Sequence, residues 1–152
     1  MIRKFLLIVA LIVSANLIHA QKKKADAFYS KGLYAKAIPL YIKASQKNGA
    51  EQQDALVKLG DCYRLLNEFK KAESSYKQAV SLKGNLSPDV HYNYGYVLKT
   101  NNNYTEALNQ FYAYLEEKPN DSKAKNAIRS CQQIKYWQTK AIEYEIKNVE
   151  GI

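Results

Sequence analysis

A period of 35 residues constrains this chain more than any other feature it has. Ala25, Gly60 and Gly95 lie 35 apart, as do Phe28, Tyr63 and Leu98, and Tyr34, Phe69 and Tyr104. The same interval joins Ala37, Ala72 and Ala107, then Tyr41, Tyr76 and Phe111. Five columns in phase across three units mean that each unit is one supersecondary element repeated along the chain. A unit this short cannot bury both of its faces, so neighbouring units must stack to make a core.

The spacing within a unit predicts two helices. Tyr34, Ala37, Ile38, Tyr41 and Ala44 follow steps of 3 and 4, one face of a helix. Phe69, Ala72, Tyr76 and Ala79 repeat that face, and so do Tyr104, Ala107, Leu108, Phe111 and Leu115. Leu56, Leu59, Gly60 and Tyr63 mark the first helix of the second unit. Polar turns at Lys31-Gly32, Leu66-Asn67-Glu68 and Asn101-Asn102-Asn103 separate the two helices of each unit. Gly49, Gly84, Pro88 and Pro119 fall between units. Only 6 Gly and 3 Pro occur in 152 residues, which argues against an all-β fold with many tight turns. Small residues such as Gly60 and Ala72 let two helices approach, and the rings of Tyr63, Phe69 and Tyr76 fill the space between pairs.

This arrangement resembles the tetratricopeptide repeat family. The resemblance rests on Ala25, Phe28, Tyr34, Ala37, Tyr41 and Ala44 in the first unit and on Gly60, Tyr63, Phe69, Ala72, Tyr76 and Ala79 in the second. Gly95, Tyr104, Ala107, Phe111 and Pro119 carry it in the third. It implies an all-α helix-turn-helix solenoid: three repeats over about 21–49, 53–86 and 88–121, then a capping helix over 122–137. Ala124, Ala127, Ile128, Cys131 and Ile134 share one face of that last helix, with Asn120 or Asp121 as its N-cap. Arg129 replaces the small residue of the other units, as suits a terminal element. In the family, first helices line a concave groove for extended peptides or a partner helix. The corresponding positions here are Tyr29, Val57, Asp61, Arg64, Asp89, Tyr92, Tyr96 and Lys99. Tyr92 and Tyr96, four apart, would pack a side chain of the partner while Arg64 and Lys99 hold an acidic group. The Lys and Asn clamp that chaperone-binding members use is missing, since Asp26 and Asp61 stand where it needs amides.

The first twenty residues read as a signal peptide. Arg3 and Lys4 precede an unbroken apolar run from Phe5 to Val13, and Ala20 comes just before a switch to polar residues at Gln21. Cleavage between Ala20 and Gln21 implies export to the periplasm, with association to the outer membrane within reach. The competing reading is an uncleaved N-terminal helix that anchors a scaffold to the inner membrane. Loss of Arg3 and Lys4 takes the formal charge from +9 to +7. Such a surface points to acidic partners in the cell envelope, and export disfavours nucleic acid.

Little here could support catalysis. His91 is the single histidine beyond the signal segment and has no ligand-spaced Cys or His near it. Cys62 and Cys131 occupy equivalent places two units apart. Helix packing of roughly 10 Å per layer would keep them well beyond the about 7 Å between Cα atoms that a disulfide allows. The expectation is a protein that is not an enzyme and takes no cofactor or metal.

After Trp137 the pattern changes. Ile142, Tyr144 and Ile146 alternate with Glu143, Glu145 and Lys147, which predicts a short strand-like tail over 138–152. A lone strand needs a mate, so the tail reads as the start of a further domain. Ser130-Cys131, Trp137 and the run Tyr144 to Val149 resemble a junction in Bacteroidetes envelope proteins. In these, tetratricopeptide repeats precede a WD40-like propeller and an OmpA-type domain, and some serve gliding motility or type IX secretion. That resemblance implies a protein or peptide partner in the envelope. Peptidoglycan would be reached only through a domain this sequence does not contain.

Overall fold

The computed structural model describes residues 21–46, 50–82 and 84–150. The expected signal segment, with the expected cleavage site after Ala20, lies outside the described residues. Among the described residues there are seven helices and no strand. They are α1 (21–30), α2 (Tyr34–Ser45), α3 (Ala50–Leu65), α4 (Phe69–Ser81), α5 (Pro88–Thr100), α6 (Tyr104–Glu117) and α7 (Ser122–Glu150). The all-α repeat architecture expected from the 35-residue period is thus present. Pro39 lies exposed within α2 without ending it. The first helix of the second repeat begins at Ala50, three residues before the expected 53, and carries Glu51 in its first turn, where a carboxylate complements the helix dipole.

All three intra-unit turns are the same object. Gly32, Asn67 and Asn102 each adopt a left-handed backbone, with φ of 71°, 60° and 67°. The amide of the following residue returns to the last helical turn: Leu33 to Phe28 O at 2.9 Å, Glu68 to Tyr63 O at 2.8 Å, Asn103 to Leu98 O at 2.8 Å. The left-handed residues themselves donate to Tyr29, Arg64 and Lys99 carbonyls. This pair of bonds satisfies orphan carbonyls at a helix end and needs Gly or Asn at its centre. The periodic Gly/Asn column is therefore a steric requirement.

The chain divides into two compact units, with the boundary between Asn85 and Leu86. In the first, α1 to α4 enclose a core of Ala25, Ala37, Tyr41, Ala44, Ala55, Leu59 and Cys62, joined by Ala72, Tyr76 and Ala79. In the second, α5 to α7 enclose Val97, Leu98, Ala107, Phe111, Ala124 and Cys131. The small-residue column explains the close approach. A Cβ on Gly60 would lie 2.8 Å from the Tyr76 ring, and one on Gly95 would lie 2.8 Å from the Phe111 ring. Each ring thus packs directly against bare helix backbone, and its burial is worth roughly 2–3 kcal/mol.

The strand-like tail is corrected by the structure. α7 runs 29 residues without a break, through the expected end at 137 and on to Glu150. Period-2 alternation over six residues also fits a helix rich in Lys, Glu, Gln and Ala, which are good helix formers. A helix satisfies its backbone within itself, whereas one unpaired strand leaves a row of open amides. Lys140 and Glu143 add an i,i+3 ion pair at 2.7 Å. At its start, Asp121 is the N-cap, accepting from the Ala124 amide at 2.9 Å and from the Tyr114 hydroxyl at 3.0 Å.

Candidate partner-binding face

The eight residues expected to face a partner divide between the two units. Tyr29, Val57, Asp61 and Arg64 belong to the first. Asp89, Tyr92, Tyr96 and Lys99 belong to the second.

In the first unit Asp61 is the hub. It is buried on α3, and its Oδ1 accepts from the Tyr76 hydroxyl at 2.6 Å and from Arg64 Nη2 at 3.3 Å. The Tyr29 hydroxyl donates to its Oδ2 at 3.4 Å, and Arg64 Nε donates to the Tyr76 oxygen at 3.3 Å. Burial, reinforced by the Asp61 charge, pushes the Tyr76 hydroxyl above the ordinary tyrosine range. The same two causes push Tyr29 up to about 12. Arg64 is thus already engaged within its own unit. Val57, half-buried, lies on the same helix one turn before Asp61. Lys58, which the sequence did not single out, sits over the Tyr29 ring at 4.5 Å. One layer earlier, the Tyr41 hydroxyl donates to Asp26 at 2.7 Å, and Lys22 bridges Asp26 at 3.1 Å and Asp54 at 2.7 Å.

A sequence signal for this network exists. Asp26 precedes Tyr41 by 15 residues, and Asp61 precedes Tyr76 by the same 15. In the third repeat both members change together, to Tyr96 and Phe111. A ring without a hydroxyl needs no carboxylate, and the place of the acid is taken by an aromatic that is 45% exposed.

The second unit distributes its four residues differently. Tyr92 is half-buried, with its ring edge-on to Phe111 at 5.7 Å and tilted against Tyr114 at 5.2 Å. It helps pack α5 on α6, whereas Tyr96, one turn on, lies on the exposed side of α5. Asp89 is exposed and pairs with Lys118 at 3.3 Å. Lys99 is half-buried. His91 is held by Gln110, Nδ1 to Oε1 at 2.8 Å.

Neither cysteine offers a nucleophile. Both are buried free thiols. Burial, aided by the Asp61 charge, pushes Cys62 up to about 12, and burial also raises Cys131. Among the described residues no three His, Cys, Asp or Glu gather to hold a metal ion. No helix among them is long and apolar enough to cross a membrane.

Two family models, both described as Tetratricopeptide repeat, match residues 22–87 and 88–121. No curated protein sequence matches the chain significantly. Among solved structures, the second such domain of human RPAP3, in complex with an HSP70 peptide, superposes with a TM-score of 0.63 at 20% identity. That match covers 76% of this chain and 98% of the other. The Yersinia enterocolitica type III secretion chaperone SycD, in complex with a peptide of the translocator YopD, gives 0.65 at 14% identity, covering 79% and 95%. YrrB, described as having an unusual peptide-binding site, gives 0.68 at 21% identity, covering 81% and 62%. At these identities the structural likeness speaks for the fold, while the family models span 22–121 between them. The chain belongs to the tetratricopeptide repeat family.

Proposed function

We propose that this protein is a non-catalytic protein–protein interaction module of the periplasm, the repeat segment of an envelope-associated assembly of the gliding-motility or type IX secretion kind. The observation that carries the interaction reading is Tyr96. It is a large ring on the exposed side of α5, at the position where the other two repeats place a hydrogen-bonded carboxylate. Exposed aromatics on rigid helices are efficient anchors, because few rotors are frozen on binding. Peptide complexes of similarly folded domains support the same reading. Export rests on Arg3, Lys4, the run from Phe5 to Val13, and the Ala20–Gln21 step. The formal charge of +7 left after cleavage suits an acidic partner.

The test combines fractionation with capture. A periplasmic chain whose first residue is Gln21 is the expected result. An intact N-terminus in the inner-membrane fraction sinks the cleaved form and favours the anchored scaffold. Tyr96→Ala should reduce recovery of envelope partners with the helical spectrum unchanged. Tyr92→Ala is unsuitable for this purpose, since Tyr92 packs against Phe111 and Tyr114. Equal partner recovery by Tyr96→Ala and wild type counts against the face.

A further inference from the structure

α7 carries a surface that neither the packing of its unit nor the candidate face uses. Ala124, Ile128 and Cys131 are buried, but from Tyr136 to Glu143 every side chain is exposed. That stretch includes Tyr136 at 55% exposure, Trp137 at 66% and Ile142 at 59%. The Tyr136 and Trp137 rings stand edge to face, with centroids 5.2 Å apart. Arg129, Tyr136 and Glu143 are seven apart, so they share one stripe along the helix, with Gln132 and Lys140 beside it. An open trough of about 490 Å³ follows this stripe, between Leu108 of α6 and Gln132, Tyr136, Lys140 and Glu143 of α7.

Charge along the helix is polarised. Between Ser122 and Ile142 the basic residues are Lys123, Lys125, Arg129, Lys135 and Lys140, with no acid. The acids Glu143, Glu145 and Glu150 follow, with Lys147 among them, and on the stripe itself the end charges are Arg129 and Glu143. A stripe that is basic at one end and acidic at the other complements itself when reversed. Two copies laid antiparallel about a two-fold axis at Tyr136 bring Arg129 of each against Glu143 of the other. The same axis sets Tyr136 on Tyr136 and Lys140 opposite Gln132. A parallel pair would instead oppose Arg129 to Arg129. Glu143 already accepts from Lys140 at 2.7 Å, and a carboxylate accepts on both oxygens, so a second cation can join it. A lipid surface fits less well, because Ile142 and Trp137 lie on different sides of the helix and form no single apolar face.

We propose that the protein self-associates as an antiparallel homodimer through α7, with the Arg129–Tyr136–Glu143 stripe as its seam and Trp137 at its edge. Closed two-fold pairs of this kind use one patch twice. The test uses the full chain in sedimentation velocity from about 1 to 100 µM, with the emission of Trp137, the single tryptophan, followed in parallel. The expected result is a monomer–dimer equilibrium, with emission moving to the blue over the same concentrations. Arg129→Glu or Glu143→Arg alone should weaken association about tenfold or more, since each opposes like charges twice per dimer. The double variant R129E/E143R should restore it to within about threefold. Both positions are exposed, so circular dichroism should be the same for all four proteins. A monomer at every concentration overturns the proposal. So does a dimer indifferent to either reversal, a double variant that stays weak, or a dimer whose Trp137 emission does not move.

Discussion

Replacing Tyr76 by Phe removes one oxygen from the centre of the first unit and leaves the ring in place. The hydroxyl is buried, donates to Asp61 at 2.6 Å and accepts from Arg64. A hydrogen bond to a charged group is worth about 1.5–3 kcal/mol net. Asp61 keeps Arg64 at 3.3 Å and Tyr29 at 3.4 Å, so its carboxylate retains partners and the loss belongs in the lower part of that range. We expect Tyr76→Phe to cost about 1.5–2 kcal/mol, read as a shift of the urea midpoint at constant slope. The reverse change in the second unit provides the control. Phe111→Tyr places a buried hydroxyl where the residue 15 earlier is Tyr96 and offers no carboxylate, and should cost about 1–3 kcal/mol. The sign of the pH dependence follows from the same bond. Tyr76 holds its proton more tightly folded than unfolded, so its contribution is complete below the ordinary value of 10.0 and declines as pH rises above it. The gap between wild type and Tyr76→Phe should therefore narrow in alkaline solution. A Tyr76→Phe protein within about 0.5 kcal/mol of wild type at neutral pH would refute the network as a source of stability.

Three further outcomes are expected. Gly60→Ala gains about 1 kcal/mol of helix propensity but drives a Cβ to 2.8 Å from a ring tethered at its hydroxyl, so the melting temperature should fall; a rise would mean that the ring can retreat. Asn67→Gly should be nearly neutral, while Asn67→Val should lose about 1–2 kcal/mol in urea, because φ is 60° there; equal stabilities would remove the strain argument. Cys62, fully buried and pushed up to about 12, should resist alkylation by iodoacetamide at pH 8 until the chain is unfolded; rapid native labelling would show that the first unit opens readily.

Much of the architecture was legible because it is periodic. The columns through Gly60, Tyr76 and Asn67 come from contacts a unit makes within itself, and three units repeat the message. Helix type, turn position and the core rings follow from spacing alone, since 3.6-residue periodicity is a local property of the backbone. The tail escaped for the opposite reason. Six alternating residues after Trp137 fit either period, and without a repeat to compare, only the cost of unpaired amides chooses the helix. The N-cap of α7 was narrowed to Asn120 or Asp121, and hydrogen bonds from Ala124 and Tyr114 select Asp121.

The candidate face shows where the division falls. Sequence alone placed Arg64, Asp61, Tyr92 and Tyr96 on the helices that carry it, because position within a repeat sets which side of a helix a residue occupies. It did not say which side chains meet one another and which stand exposed. Only the tertiary structure shows Arg64 and Tyr29 meeting Asp61, Tyr92 resting against Phe111 and Tyr114, and Tyr96 lying exposed. The physical reason is that engagement depends on rotamer and on partners up to 32 residues away, such as the Tyr29 and Asp61 pair. Periodicity carries no information about either.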